Sequence, residues 1–244
     1  MALGLIFRSF ALALGQLSDP RFRRVFLLGI GLTLALLIGI TAGAVWLINQ
    51  VTPEEAWLPI LGEVRWLNDL FSWGAAFLLL FMSTFLMIPV ASAITSLFLD
   101  EVADAVEAKH YLDLPRTGSV SFGDALRDTV NFFGLLVVVN LAAIVLYLFF
   151  PPAASLIFWA VNGFLLGREY FTMVAMRWVD RRTASDLRRQ YRAIIWAAGT
   201  LMAIPLSVPL LNLLVPILGA ATFTHLYHAL TRRQHGTSSP HRPR

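Results

Sequence analysis

The chain has 244 residues, 57% of them hydrophobic and 14% charged, with a formal net charge of +4 and a mean hydropathy of +0.69. About a quarter of an ordinary soluble domain is charged, so this chain has too little polar surface to cover itself in water, and a bilayer must act as solvent for much of it. Its basic residues stand in short runs beside apolar segments, the positive-inside pattern rather than a nucleic-acid footprint, and the lack of cysteine excludes disulfides, thiolate metal sites and thiol catalysis.

At the N-terminus, Arg8 interrupts the apolar run and no basic region precedes it, so the segment does not read as a signal peptide. Leu3, Phe7, Phe10, Leu14 and Leu17 recur at spacings of four and three, the stripe of an amphipathic helix lying in the membrane interface. Ser18-Asp19-Pro20 then signals a helix start, followed by Arg21-Phe22-Arg23-Arg24 and the 24 uncharged residues Val25–Ile48. At about 1.5 Å per residue those make roughly 36 Å of helix, enough to cross a hydrocarbon core of about 30 Å. Gly31, Ala35, Gly39 and Gly43 fall four apart along it, a groove of small residues that predicts close helix packing, within the chain or between copies.

The loop 49–70 carries Glu54, Glu55, Glu63 and Asp69 against one arginine, Arg65, with Trp57 and Trp66 as interfacial anchors; the arginine bias puts it outside. A second spanning helix is predicted over Phe71–Leu99, kinked at Pro89. It continues into Asp100, Asp104 and Glu107, whose spacing puts the carboxylates on one face. They read either as partners for nearby arginines or as acid–base or cation ligands.

Ser121 and Asp124 form a capping box that opens the next helix, apolar from Val130 to Phe150 and ended by Pro151-Pro152. The return arm, Ala153–Leu166, has 14 residues, about 21 Å and too short to span, so a hairpin entering and leaving on one side is predicted. After Asn162, Arg168 and Glu169 comes the most basic part of the chain, Arg177 to Arg192, with a short surface helix capped at Thr183-Ala-Ser-Asp186. A second hairpin follows: a 12-residue arm, Ala193–Ile204, and a return from Leu206 to Leu230 interrupted by Pro209, Asn212 and Pro216. Paired short, proline-interrupted segments point to a transporter's central site. The expected organisation is one membrane domain over 1–231 with a disordered basic tail over 232–244, and both termini in the cytoplasm.

With Arg23-Arg24 at the head of the first span, Val102-Ala-Asp104-Ala-Val-Glu107 after the second, and Ile204-Pro205-Leu, Leu211-Asn212-Leu and Pro216-Ile-Leu-Gly219-Ala-Ala in the last hairpin, the chain resembles the CysZ-type sulfate permeases. These share a domain with the etoposide-induced 2.4-like membrane proteins, and the resemblance runs from about Leu5 to Tyr227. It implies an all-α integral membrane protein with two long transmembrane helices, two partially penetrating helical hairpins and an N-terminal interfacial helix. It also implies homo-oligomers and sulfate uptake across the bacterial inner membrane for cysteine synthesis. Sulfate would bind where the first span begins. The family's Pro-Gly-(Ile/Leu)-Arg motif lies over Pro20-Arg21-Phe22-Arg23, with Arg21 in place of the glycine.

The residues themselves support an anion site at Arg21, Phe22, Arg23 and Arg24. A helix start offers unpaired N–H donors and about half a positive charge, and arginine adds a fork of donors suited to oxyanions. Asp104, Glu107, Asn162, Arg168, Glu169 and Asn212 are the candidates for a pathway or for ion pairs. The alternative is a non-transporting membrane scaffold whose basic loop docks lipid or a partner. No GxxxxGK[ST], HExxH or GxSxG pattern occurs, so neither ATP hydrolysis nor membrane-embedded catalysis is expected, and no cofactor or metal is implied.

Overall fold

A computed structural model describes residues 2–51, 56–58, 62–64, 97–111 and 122–237, together with single positions between 74 and 95. The chain divides into two compact units, Met1–Val25 with Phe98–Arg244, and Phe26–Leu97.

The first unit is helical throughout its described residues. It holds α1 (Ala2–Gly15), the head of α2 (Pro20–Val51), α3 (Leu99–His110), α4 (Phe122–Phe149), α5 (Ala154–Met176), α6 (Arg181–Gln190), α7 (Arg192–Ala203), α8 (Pro209–Asn212) and α9 (Val215–Thr237). Helix α9 is the central post, packed against α1, α3 and α5. Its Ile217, Ala220, Ala221, Phe223, Leu226 and Leu230 are buried, so it meets neighbours on most sides. Helix α1 meets it through Leu5, Ile6, Ser9 and Ala13, a face of one-turn steps. The large side chains of the predicted interfacial stripe are on the other side: Leu3 is 65% exposed and Phe7 59%. An exposed apolar ridge backed by a separate buried packing face is what a helix shared between membrane and protein requires.

The tightest packing joins α5 to α7. Gly163, Gly167 and Gly199 carry it: a Cβ on Gly199 would stand 2.0 Å from the Gly163 carbonyl oxygen, and one on Gly167 2.6 Å from that of Ile195. Trp196 Nε1 ties the same pair, donating to the Ala160 carbonyl (2.9 Å), and Trp159 Nε1 of α5 donates to Ser207 Oγ (2.8 Å) in the 3₁₀ turn that follows α7.

In the second unit, the rest of α2 approaches the segment around Thr95 at Gly29, where a Cβ would fall 2.1 Å from Thr95 Oγ1. The predicted stripe does not make this approach: Gly31, Gly39 and Gly43 have nothing within 4 Å among the described residues. The loop beyond α2, expected to be irregular, holds two short antiparallel strands, β1 (Ala56–Leu58) and β2 (Gly62–Val64), in register Ala56↔Val64, Trp57↔Glu63 and Leu58↔Gly62.

Among the described residues, two helices are long and apolar enough to cross a membrane, over Pro20–Ala44 and Asn131–Phe149. Both leave large side chains uncovered, among them Leu27, Ile38 and Ile40 on α2 and Val138, Leu141 and Leu148 on α4. That surface is disallowed in water and suited to lipid. The first is the predicted span. The second was expected to be one arm of a shallow hairpin, and the predicted span Phe71–Leu99 lies largely outside the described residues. Helix α3 starts afresh at Leu99 after a turn at 97–98.

The return arm is also longer than expected. Helix α5 has 23 residues, not 14, because it runs on past Arg168 and Glu169 to Met176. Charged side chains on a helix flank leave the backbone ladder intact, so they do not mark its end. At about 1.5 Å per residue α5 measures roughly 34 Å, and shortness gives no reason for a re-entrant path there. The second return arm is broken as predicted, into a 3₁₀ turn at Ile204–Ser207, α8 and α9. Pro205, Pro209 and Pro216 each stand in a first turn, where the missing N–H has no intrahelical partner to lose. Helix α9 continues through Thr237, beyond the start of the predicted tail; residues 238–244 lie outside the described ones.

Candidate functional site

The head of α2 is held from below by one amide. Gln16, almost fully buried, donates through Nε2 both to the Ala105 carbonyl (3.1 Å) and to Asp19 Oδ2 (3.2 Å). Asp19 in turn accepts the Arg21 N–H at Oδ1 (2.9 Å). A carboxylate thus caps the positive end of the helix. An incoming anion meets that charge, so the guanidinium groups rather than the backbone must supply the attraction. Arg21, Arg23 and Arg24 are all exposed, and Arg21 and Arg24, three apart, share a face. Phe22, expected among the anion's contacts, is instead 1% exposed. It anchors the first turn with Val25 and cannot touch a ligand.

The acidic face of α3 meets Arg177 at the end of α5. Its Nη1 donates to Asp100 Oδ1 (2.7 Å), and its Nη2 to Glu107 Oε2 (3.1 Å) and to Asp104 Oδ1. Trp178 Nε1 donates to Glu107 Oε1 (2.9 Å). Glu107 is 5% exposed and Arg177 13%, while Asp100 is 74% exposed. Burial alone would weaken the guanidinium's hold on its proton; hydrogen bonds and charge from Glu107, Asp104 and Asp100 outweigh it and raise the Arg177 pKa further. Of the two readings of this cluster, ion pairing is the one realised.

The remaining candidates do not converge. Asn162 Nδ2 donates to the Phe158 carbonyl one turn back (2.9 Å). Glu169 is exposed and Asn212 ends α8. Arg168 lines a cavity of about 190 Å³ with Arg188, Arg189, Arg192, Phe164 and Trp196. Arg188 there donates to Thr172 Oγ1 (2.9 Å). Helix α6 is capped by Asp180, which accepts from the N–H groups of Arg182 (3.0 Å) and Thr183 (3.4 Å), so it begins before the box predicted at Thr183.

One cluster was missed. The rings of His110, Tyr111, His225, His228 and Trp178 pack together, edge to face for His110 on His225 and Trp178 on His228, and stacked for Tyr111 and His228, whose centroids lie 4.0 Å apart. The Tyr111 hydroxyl and His225 Nδ1 share a hydrogen bond of 2.9 Å. His225 and His228 are one turn apart on α9, and that spacing was the available signal. Burial first, then the charge of His110 and His228, lowers the His225 pKa to about 4; burial and then Arg232 bring His228 to about 4. Both are neutral when folded at neutral pH, whereas an unfolded histidine titrates near 6.5. Below that pH the unfolded chain binds more protons than the native one, so stability is full above 6.5 and falls as pH drops toward 4. Thermal unfolding of the detergent-solubilised protein should therefore show a lower midpoint at pH 5 than at pH 7.5. The gap should narrow in His225→Gln/His228→Gln.

A search of curated proteins finds no significant match. A family profile described as sulfate transporter CysZ/etoposide-induced protein 2.4 matches residues 9–216, which takes in every helix from within α1 to the first turn of α9. The chain is therefore a member of the sulfate transporter CysZ/etoposide-induced protein 2.4 family.

Proposed function

We propose that this protein is an inner-membrane permease for sulfate or a related oxyanion, feeding sulfur assimilation. Arg21, Arg23 and Arg24 would receive the anion at the cytoplasmic mouth. The observation that carries this reading is the set of three exposed arginines on the first turn of the longest apolar helix, in a chain of a sulfate-transporter family. Sulfate is doubly charged and strongly hydrated, so charge-assisted hydrogen bonds must replace its water. They must also release it, since conduction needs a site that does not trap. Arginines on an exposed rim, opposed by the Asp19 carboxylate at the helix start, supply attraction of that limited strength. Both termini are assigned to the cytoplasm on the arginine bias. Homo-oligomers are assigned on the glycines of α2 that no described residue meets.

Labelled sulfate uptake into liposomes is the test. Wild-type protein should raise uptake above empty liposomes, and Arg23→Ala/Arg24→Ala should return it to that baseline with the oligomer unchanged. Equal uptake by protein-containing and empty liposomes would favour the scaffold reading. The four-arginine cavity flanked by the exposed Phe164 and Trp196 supports that reading, as a contact for acidic lipid.

A further inference from the structure

A second cavity, of about 250 Å³, opens between α1, the end of α3 and the last turns of α9. At about 30 Å³ of liquid volume per water it has room for roughly eight. Arg8 and Arg232 flank it, Tyr111, His225 and Ser9 supply its polar wall, and Leu5 and Leu12 its apolar one; among the described residues no carboxylate lines it. Asp100, Asp104 and Glu107 of α3 are turned to Arg177. Neither Arg8 nor Arg232 is ion-paired to a carboxylate among the described residues. Arg232 is positioned, its Cζ lying 5.0 Å from the Tyr111 ring centroid, and Arg8 is close enough for its charge to act on the Tyr111 phenol together with that of Arg232.

Two guanidinium groups sharing one polar recess repel each other. No described residue in the walls carries a negative charge, whereas a single oxyanion between the two arginines would offset the repulsion, accepting from both forks. His110, His225 and His228 do not make the recess a cation site, since among the described residues no three histidines or carboxylates converge to hold a metal. We propose that this cavity binds a phosphate group, either free phosphate or the phosphodiester of an acidic lipid headgroup. The apolar wall from Leu5 and Leu12, and the exposed Leu3 and Phe7 on the same helix, suit a headgroup whose acyl chains run along α1. The site is independent of the arginines at the head of α2.

The full-length protein, purified in delipidated detergent micelles, tests this with two ligands. Inorganic phosphate is titrated against potassium chloride of equal ionic strength while the unfolding midpoint is followed. Phosphatidylglycerol is titrated against diacylglycerol, which lacks the phosphate, while bound lipid is counted by native mass spectrometry. At least one phosphate ligand should bind the wild type in preference to its control. Each of Arg8→Ala and Arg232→Ala should weaken that binding roughly tenfold or more, as expected for one charge-assisted hydrogen bond, and Arg8→Lys should restore part of it. Response to both ligands marks a site open to soluble phosphate; response to the lipid alone marks a headgroup site. Wild-type protein that does not distinguish either ligand from its control overturns the proposal. So does an Arg8→Ala/Arg232→Ala variant of native unfolding midpoint that binds as the wild type does. Sulfate uptake should survive these two substitutions, which separates this site from the one at Arg23 and Arg24.

Discussion

Arg177→Ala should destabilise the protein more than the loss of any one carboxylate it holds. Removing the cation takes from the nearly buried Glu107 the guanidinium that donates to it at 3.1 Å, and takes from Asp100, Asp104 and Glu107 the positive charge they share on one helix face. Breaking a buried pair by deleting one member costs about 3–5 kcal/mol, because the surviving charge is stranded without water. The carboxylates should then rank by burial. Glu107→Gln keeps the shape and removes a nearly buried charge (5% exposed), so it should cost more than Asp100→Asn, whose partner oxygen is in solvent (74% exposed) and contributes at the level of a surface pair, about 0–1 kcal/mol. Thermal unfolding in detergent measures the series, and an Arg177/Glu107 double-mutant cycle isolates their coupling. Equal losses for Glu107→Gln and Asp100→Asn would show that burial does not set the strength of this junction. The bridge joins α3 to the end of α5, so its loss should also loosen Gln16, whose amide rests on the Ala105 carbonyl of α3, and with it the head of α2.

Much of this was legible in the residues. A run of uncharged positions after Arg24 specifies a spanning helix with no reference to tertiary contacts, and the spacing of Asp100, Asp104 and Glu107 fixes a common face whatever that face meets. Prolines end helices through local chemistry, so the breaks at residues 151, 205 and 209 followed directly. The misses share a cause. Helix α5 was cut short at Arg168 because charge was taken as a boundary, although a flank charge does not interrupt the backbone. Phe22 was grouped with its arginine neighbours by sequence, whereas a helix sends consecutive residues about 100° apart, and only the packing of unit one decides which of the four turns inward. The histidine cluster depends on contacts between residues more than a hundred positions apart, Tyr111 with His225. No local pattern encodes such a pairing. The glycine stripe of α2 meets no described residue of the chain, while Gly163, Gly167 and Gly199, not singled out as a packing stripe, carry the close approach of α5 to α7.

That contrast gives the second large effect. Gly199→Ala places a methyl carbon 2.0 Å from the Gly163 carbonyl oxygen and 2.8 Å from the Gly167 amide nitrogen. Both obstacles are backbone, so no rotamer change clears them, and α5 and α7 must move apart along their shared face. The separation would strain the Trp196 hydrogen bond that joins the two helices and the Trp159 bond to the turn after α7, and open voids beside Ala198 and Met202, now fully buried. Overpacking of this kind typically costs about 1–3 kcal/mol, and occasionally more where the backbone itself is the wall. Gly39→Ala is the matched control: among the described residues nothing lies within 4 Å of a Cβ there, and alanine favours a helix over glycine by about 1 kcal/mol. The unfolding midpoint should fall for Gly199→Ala and hold or rise for Gly39→Ala. A fall for Gly39→Ala at high protein concentration that disappears on dilution would place a second copy against that stripe. A native midpoint for Gly199→Ala would mean that α5 and α7 are not held at the separation their glycines permit, and the packing assigned to this half of the molecule would have to be redrawn.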